Sequence, residues 1–168
     1  MKISMYAMSV PVFVKTLGNL SSILDKAAAH AQAKKIDPAV LLAARLFPDM
    51  FALAKQVQVA CDFAKGAVAR LAGVEPPKDD DSERTFDDLK ARIARTIEYV
   101  SGFGEAQFEG ADEREVVLKI RDRTLSYRGL PYLAHVALPN FFFHVVTAYD
   151  ILRHNGVELG KRDFIGQV

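Results

Sequence analysis

Apolar residues recur at helical spacing along most of this chain, and that pattern restricts the fold to packed helices. From Ser9 to Lys35, the series Val10, Phe13, Val14, Leu17, Leu20, Ile23, Leu24, Ala27 and Ala31 predicts an amphipathic helix. Ser9 is its expected N-cap, and Pro11 falls in the first turn, where a missing N–H is tolerated. A short helical turn is expected from Asp37-Pro38 to Ala44. Asp49 then caps a second long helix that stops at Gly73, with Met50, Leu53, Ala54, Val57, Cys61, Ala64, Val68 and Leu71 on one stripe. Thr85, with Asp88 in the capping-box position, opens a third helix whose stripe is Phe86, Leu89, Ile93, Ile97 and Val100. The last helix is expected from near Pro131 to His154, ending at Asn155-Gly156.

Between Glu115 and Tyr127 the apolar period changes to two, which predicts a small β-hairpin ahead of the last helix. The stretch from Gly73 to Arg84 carries two prolines and an acid cluster and reads as a solvated connection. The tail after Gly160 reads as irregular, packed down by Phe164 and Ile165. With 168 residues, half of them hydrophobic, the chain fits one core, so residues 1–168 are expected to form a single domain of the all-α class with one hairpin. Basic and acidic residues nearly cancel, 22 against 21, which argues against nucleic acid as a partner. No stretch approaches the ~20 apolar residues of a membrane span, so no membrane partner is expected. The N-terminal segment, interrupted by Pro11, reads as the start of the fold and not as a leader. One cysteine, Cys61, sits in an apolar helical pattern, which suits a reducing cytoplasm.

The candidate chemistry lies in the last helix. At ~100° per residue, Asn140, His144, Thr147 and Ile151 share one column flanked by Phe141, Phe143, Val145, Ala148 and Leu152. A helix this apolar all round is expected to be buried on most sides, so the column points into the bundle. Two readings follow. In one, His144 is a general base or metal ligand at a cavity between helices, with Asn140 beside it as a weak ligand or substrate hydrogen-bonder. In the other, both residues hydrogen-bond across to Gln56, Gln58 or a tyrosine and set helix register. Gln58 and Asp62 share a column at the edge of the second helix's stripe and are the natural candidates to complete a pocket, while Gln56 lies on the other edge. His135 falls off the column unless Pro139 kinks the helix, in which case it lines the pocket too. His30 and His154 read as surface residues near helix C-termini. Phe141-Phe142-Phe143 reads either as core or as an interaction surface.

At these residues the chain resembles the DinB/YfiT-like superfamily of four-helix proteins. Asn140-Phe-Phe-Phe-His144 superposes on that superfamily's H-x-x-x-H pair, and Tyr149-Asp-Ile-Leu-Arg-His-Asn-Gly156 on its helix ending. More closely, the segments 37–73, 114–127 and 138–164 look like a branch catalogued as a domain of unknown function. The resemblance implies an up-down-down-up bundle with a long crossover, a cleft between the second and last long helices, and a homodimer. It also implies a divalent metal, zinc or nickel, on three histidines. Here Asn140 replaces the first histidine of the pair, and the second helix offers Gln56, Gln58 and Asp62 in place of another, leaving His144 as the one imidazole of an incomplete set. The expected function is therefore a small bundle protein whose inter-helix polar pocket binds a small molecule or serves structurally. The alternative is a metal- or His-assisted transferase resembling the superfamily's thiol-dependent S-transferases, with Asn140, Gln58 and Asp62 completing the shell around His144.

Overall fold

The computed structural model describes residues 4–120 and 122–167, with Ile120 by its backbone alone. Met1–Ile3, the start of the N-terminal segment, and Arg121 in the hairpin turn lie outside the described residues. Helix α1 spans Val10–Lys34 and buries Phe13, Leu17, Leu20, Ile23, Leu24, Ala27 and Ala31. Ser9 is not its side-chain cap. The Ser9 hydroxyl donates backwards to the Met5 carbonyl at 2.6 Å, tying the helix to the turn before it. Asp37 does cap α2 (Pro38–Ala43), accepting from the Ala39 N–H at 2.9 Å.

Helix α3 spans Leu53–Leu71 and begins later than Asp49 suggests. The Leu53 N–H is claimed by the Ala44 carbonyl at 2.9 Å, so residues 45–52 close a loop before the helix can start. Thirteen of the nineteen residues of α3 are buried against seven of seventeen in the last long helix, which makes α3 the central element. Its buried residues include Ala60, Ala64, Gly66, Ala67 and Ala69, and such small side chains let neighbouring helices approach from several directions.

Helix α4 (Phe86–Ser101) starts on a reciprocal capping box. The Thr85 hydroxyl accepts from the Asp88 N–H and the Asp88 carboxylate accepts from the Thr85 N–H, both at 3.0 Å. A 3-10 turn over Glu105–Phe108 leads to strands β1 (Glu115–Ile120) and β2 (Arg123–Arg128), which pair antiparallel with Val116 opposite Tyr127. The final long helix is continuous but changes pitch: α5 (Gly129–Tyr132), a π-helical turn (Leu133–Ala137), then α6 (Leu138–His154). The π turn immediately precedes Pro139, whose missing N–H could not continue regular α-helical bonding. The tail forms a short helix, α7 (Lys161–Ile165), against α1, where Asn19 donates to the Phe164 carbonyl at 2.9 Å. Phe164 packs on Tyr149, whereas Ile165 is exposed.

The four long helices form an up-down-down-up ring in the order α1, α4, α3, α6. The crossover from Ala72 to Thr85 explains why α3 and α4 run the same way. An extended segment of fourteen residues reaches roughly 46 Å, enough to return along a nineteen-residue helix of about 28 Å. It does return: Asp79 pairs with Lys65, and Asp81 with Lys55, so the strap runs antiparallel to α3 and delivers α4 at the starting end of α3. The aromatic centre of the core is an edge-to-face contact between Phe13 of α1 and Phe141 of α6, 4.8 Å between centroids. No helix among the described residues is long and apolar enough to cross a membrane.

Two glycines make opposite demands. A Cβ on Gly129 would lie 1.7 Å from the Ala111 carbonyl oxygen, a backbone atom that cannot swing aside, whereas one on Gly18 would meet nothing within 4 Å. Gly129→Ala is expected to lose about 3 kcal/mol or more of unfolding free energy. Gly18→Ala, in mid-helix, is expected to gain about 0.5–1 kcal/mol. Urea denaturation of both variants checks the pair, and equal effects would refute the packing described.

Candidate functional site

His144 lies on the face of α6 that meets α3 and is buried, at 8% exposure. Its Nδ1 is 2.7 Å from the Gln56 side-chain oxygen. The Gln56 amide nitrogen donates in turn to the Phe51 carbonyl at 3.1 Å. That second bond sets the direction of the first: with the amide nitrogen on a carbonyl, the amide oxygen faces the ring, so Nδ1 must carry the proton. Burial lowers the pKa of His144, so the ring favours its neutral form, with the lone pair on Nε2. Nε2 has no partner among the described residues, yet it is not among the fully enclosed unpaired polar atoms, so it retains some access to solvent.

Aromatic rings surround the imidazole. Phe63 and Phe51 stack near-parallel to it at 5.8 and 6.5 Å between centroids, and Phe143 meets it edge-on at 5.3 Å. Phe51 and Phe143 are themselves 52% and 56% exposed, which gives the site an apolar rim. Of the three successive phenylalanines, Phe141 is core, Phe142 is half-buried and Phe143 faces out, so α6 is not enclosed on all sides as its composition suggests.

The other candidates are not gathered around this ring. Asn140 uses its amide nitrogen within α6's own approach, donating to the Val136 carbonyl in the π turn at 2.7 Å. His135, inside that turn, is exposed. Gln58 and Asp62 are turned towards α4: Gln58 donates to Glu83 at 2.9 Å, and Asp62 pairs with Arg92 at 2.9 Å. The pocket expected from His144, Gln58 and Asp62 together is therefore corrected to a pair, His144 with Gln56. Residues two apart on a helix differ by about 200°, so Gln56 and Gln58 cannot both face α6. Among the described residues, no group of three or more His, Cys, Asp and Glu side chains is placed to hold a metal ion. Tested as a donor set, one imidazole hydrogen-bonded through Nδ1 to a neutral amide does not fit a three-histidine centre. Cys61 is no substitute nucleophile, since burial pushes its thiol up to about 12.

A second polar system lies on the α4 side of α3. Arg92, 1% exposed, pairs with Asp62 and Asp81 at 2.9 Å and with Glu83 at 3.2 Å. Burial works against its charge, but the carboxylates of Asp62 and Glu83 prevail and raise its pKa. The acid run is thus not simply solvated: the alternate acids Asp79, Asp81 and Glu83 pair with cations of α3 and α4, although of the three only Glu83 is buried. A signal for this existed in the sequence, namely an arginine beside Ile93 and one turn from Leu89 on an otherwise apolar face, together with acids spaced by two.

Removing the guanidinium leaves Glu83 buried with only the Gln58 amide and the exposed Arg95, 3.7 Å away, to balance its charge. Arg92→Met is expected to lose about 3–5 kcal/mol at pH 7. For Asp79 and Asp81, burial raises the pKa, but hydrogen bonds and charge from Lys65 on Asp79, and from Lys55 and Arg92 on Asp81, lower it overall. The unfolded chain therefore takes up more protons in acid, so this stabilisation is complete above about pH 4 and drains away below it. Urea denaturation at pH 7 and pH 3 is expected to show a smaller acid loss in Arg92→Met than in the parent. An equal loss would mean that the strap contributes little to acid sensitivity.

The comparisons with known proteins agree with the fold. None of the curated proteins matches the chain. The crystal structure of a DinB family member protein from Shewanella denitrificans is similar at 47% sequence identity, over 97% of this chain and 92% of that one, with a TM-score of 0.91. The family model described as "Domain of unknown function (DUF1993)" matches residues 5–165. With that match spanning nearly its whole length, the chain belongs to the DUF1993 family, a DinB-like branch of unknown function.

Proposed function

We propose that this protein binds a small molecule at the apolar rim over His144, with the imidazole serving as a neutral acceptor and base through Nε2 and not as one arm of a three-histidine metal centre. The supporting observation is the directed relay from His144 Nδ1 through the Gln56 amide to the Phe51 carbonyl. A base works best when a second group holds its other nitrogen, because the tautomer and the ring plane are then set before the ligand arrives. The flanking Phe51, Phe63 and Phe143 rings favour a ligand with an apolar body and a single X–H donor. If that donor is a thiol, the same contact draws off its proton and leaves the sulfur nucleophilic, which is the form a His-assisted S-transferase reading takes at this site.

Four measurements test the reading. Long-range 1H–15N spectra are expected to show the Nδ1–H tautomer of His144 in the parent protein. Gln56→Glu, which places a carboxylate on Nδ1, is expected to raise the His144 pKa by about one unit or more. Benzyl mercaptan, an apolar ring with one S–H, is expected to shift the Nε2 resonance saturably in the parent, and His144→Ala is expected to abolish its binding. Equilibrium dialysis against Zn2+ and Ni2+ supplies the opposing outcome: sub-micromolar affinity lost on His144→Ala would overturn the proposal.

A further inference from the structure

We propose that a second, cationic site at the far end of α3 binds a small multivalent oxyanion such as a diphosphate or a phosphate ester. A cavity of about 620 Å3 lies between the end of α3, the first part of the crossover and β1. Arg70, Lys78, Arg114 and Lys119 line it, together with Glu75 and Glu115. Its volume is in the range of small-molecule sites.

The charges here are arranged differently from those on the α4 side of α3. There, Lys55, Lys65 and Arg92 each meet a carboxylate. Here, none of the four cations forms an ion pair among the described residues. Like charges gathered in a concave space repel one another, and the field they create inside it attracts anions. Counting the two glutamates against the four cations leaves a net charge of two, which matches a dianion or a more highly charged group better than a monovalent one.

Two of the cations are held in place by contacts that leave their charge intact. Arg114 donates to the carbonyl oxygens of Leu71, Gln107 and Glu109, the latter two at 3.3 Å, so its guanidinium closes the end of α3. Gly73, in a left-handed conformation at φ 78°, lies beside it: a Cβ there would make ordinary contact, 3.6 Å from that guanidinium. Arg70 lies along α3 with a hydrogen bond to the buried Tyr132 hydroxyl at 3.3 Å. A Cβ on Gly66 would come within 2.4 Å of its Nη1, so the glycine provides the recess in which Arg70 rests. Planar guanidinium groups fixed in this way suit oxyanions, which accept paired N–H bonds. Lys78 and Lys119 are exposed and serve as mobile arms around the anion. Arg70 is fourteen residues beyond Gln56 on one helix, about 21 Å along its axis, so the site is independent of the His144 pair.

Calorimetric titration of the full chain with inorganic pyrophosphate at low ionic strength tests the proposal. The parent is expected to bind one equivalent, with amide shifts at residues 73–75, 78 and 114–119. The double variant Lys78→Glu, Lys119→Glu changes two exposed side chains, so its thermal melt should match the parent's while its affinity falls roughly tenfold or more. Glu75→Gln is expected to tighten binding about threefold by removing a repulsive charge. His144→Ala is expected to leave binding unchanged. Absence of saturable binding in the parent, equal affinity in the double variant, or loss of binding in His144→Ala would each overturn the assignment.

Discussion

A guanidinium buried between two parallel helices organises this fold. Arg92 leaves water only because Asp62, Asp81 and Glu83 close around it, and an arginine in that position without them would carry a desolvation penalty of several kcal/mol. Two of those acids belong to the crossover, so neutralising Arg92 also determines the path of the chain between α3 and α4. With the strap lying antiparallel on α3, α4 has one place to begin. The parallel pair at the centre of the bundle, which a short loop could not connect, thus follows from a charge requirement as much as from apolar packing. The Nε of Arg92 has no partner among the described residues and is fully enclosed, so the arrangement is retained although one of its donors goes unsatisfied there.

How much of this was legible in the sequence depends on how local each determinant is. The Thr85–Asp88 capping box, the helical turn that begins at Asp37-Pro38 and the hairpin after Glu115 are set by residues within a few positions of one another, and the structure follows them. Asp49 failed as a cap because a distant carbonyl, that of Ala44, claimed the first helical N–H. The apolar period showed where the long helices lie but not which of them is central. Hydrophobicity drew attention to α6, whereas the small side chains of α3 are what allow close approach on several sides.

The site was legible in part for a related reason. His144 was identified because a polar residue in an apolar helix needs a partner, and it has one. Which glutamine supplied it was not legible, since Gln56 and Gln58 flank the same stripe and only the rotation of α3 against its neighbours separates them. Phe51 and Phe63 were missed because they come from a loop and from the second long helix, and nothing in their local pattern points towards α6. The unpaired cations around Arg70 and Arg114 were hidden for the opposite reason: a nearly balanced total charge conceals a local excess.

The two faces of α3 therefore carry different electrostatics, and their separation matters for the chemistry proposed at His144. Gln56 and Gln58 differ by about 200° around the helix, so one serves a neutral imidazole and the other the carboxylate of Glu83. Between them runs the apolar body of Leu53, Val57, Ala60, Cys61 and Ala64, all fully buried. Burial is what lowers the pKa of His144. Had Gln58 and Asp62 faced the ring, a carboxylate beside it would have favoured the imidazolium and removed the lone pair on Nε2. The rotation of α3 sends Asp62 to Arg92 and Gln58 to Glu83, and keeps His144 in surroundings where the free base is the stable form.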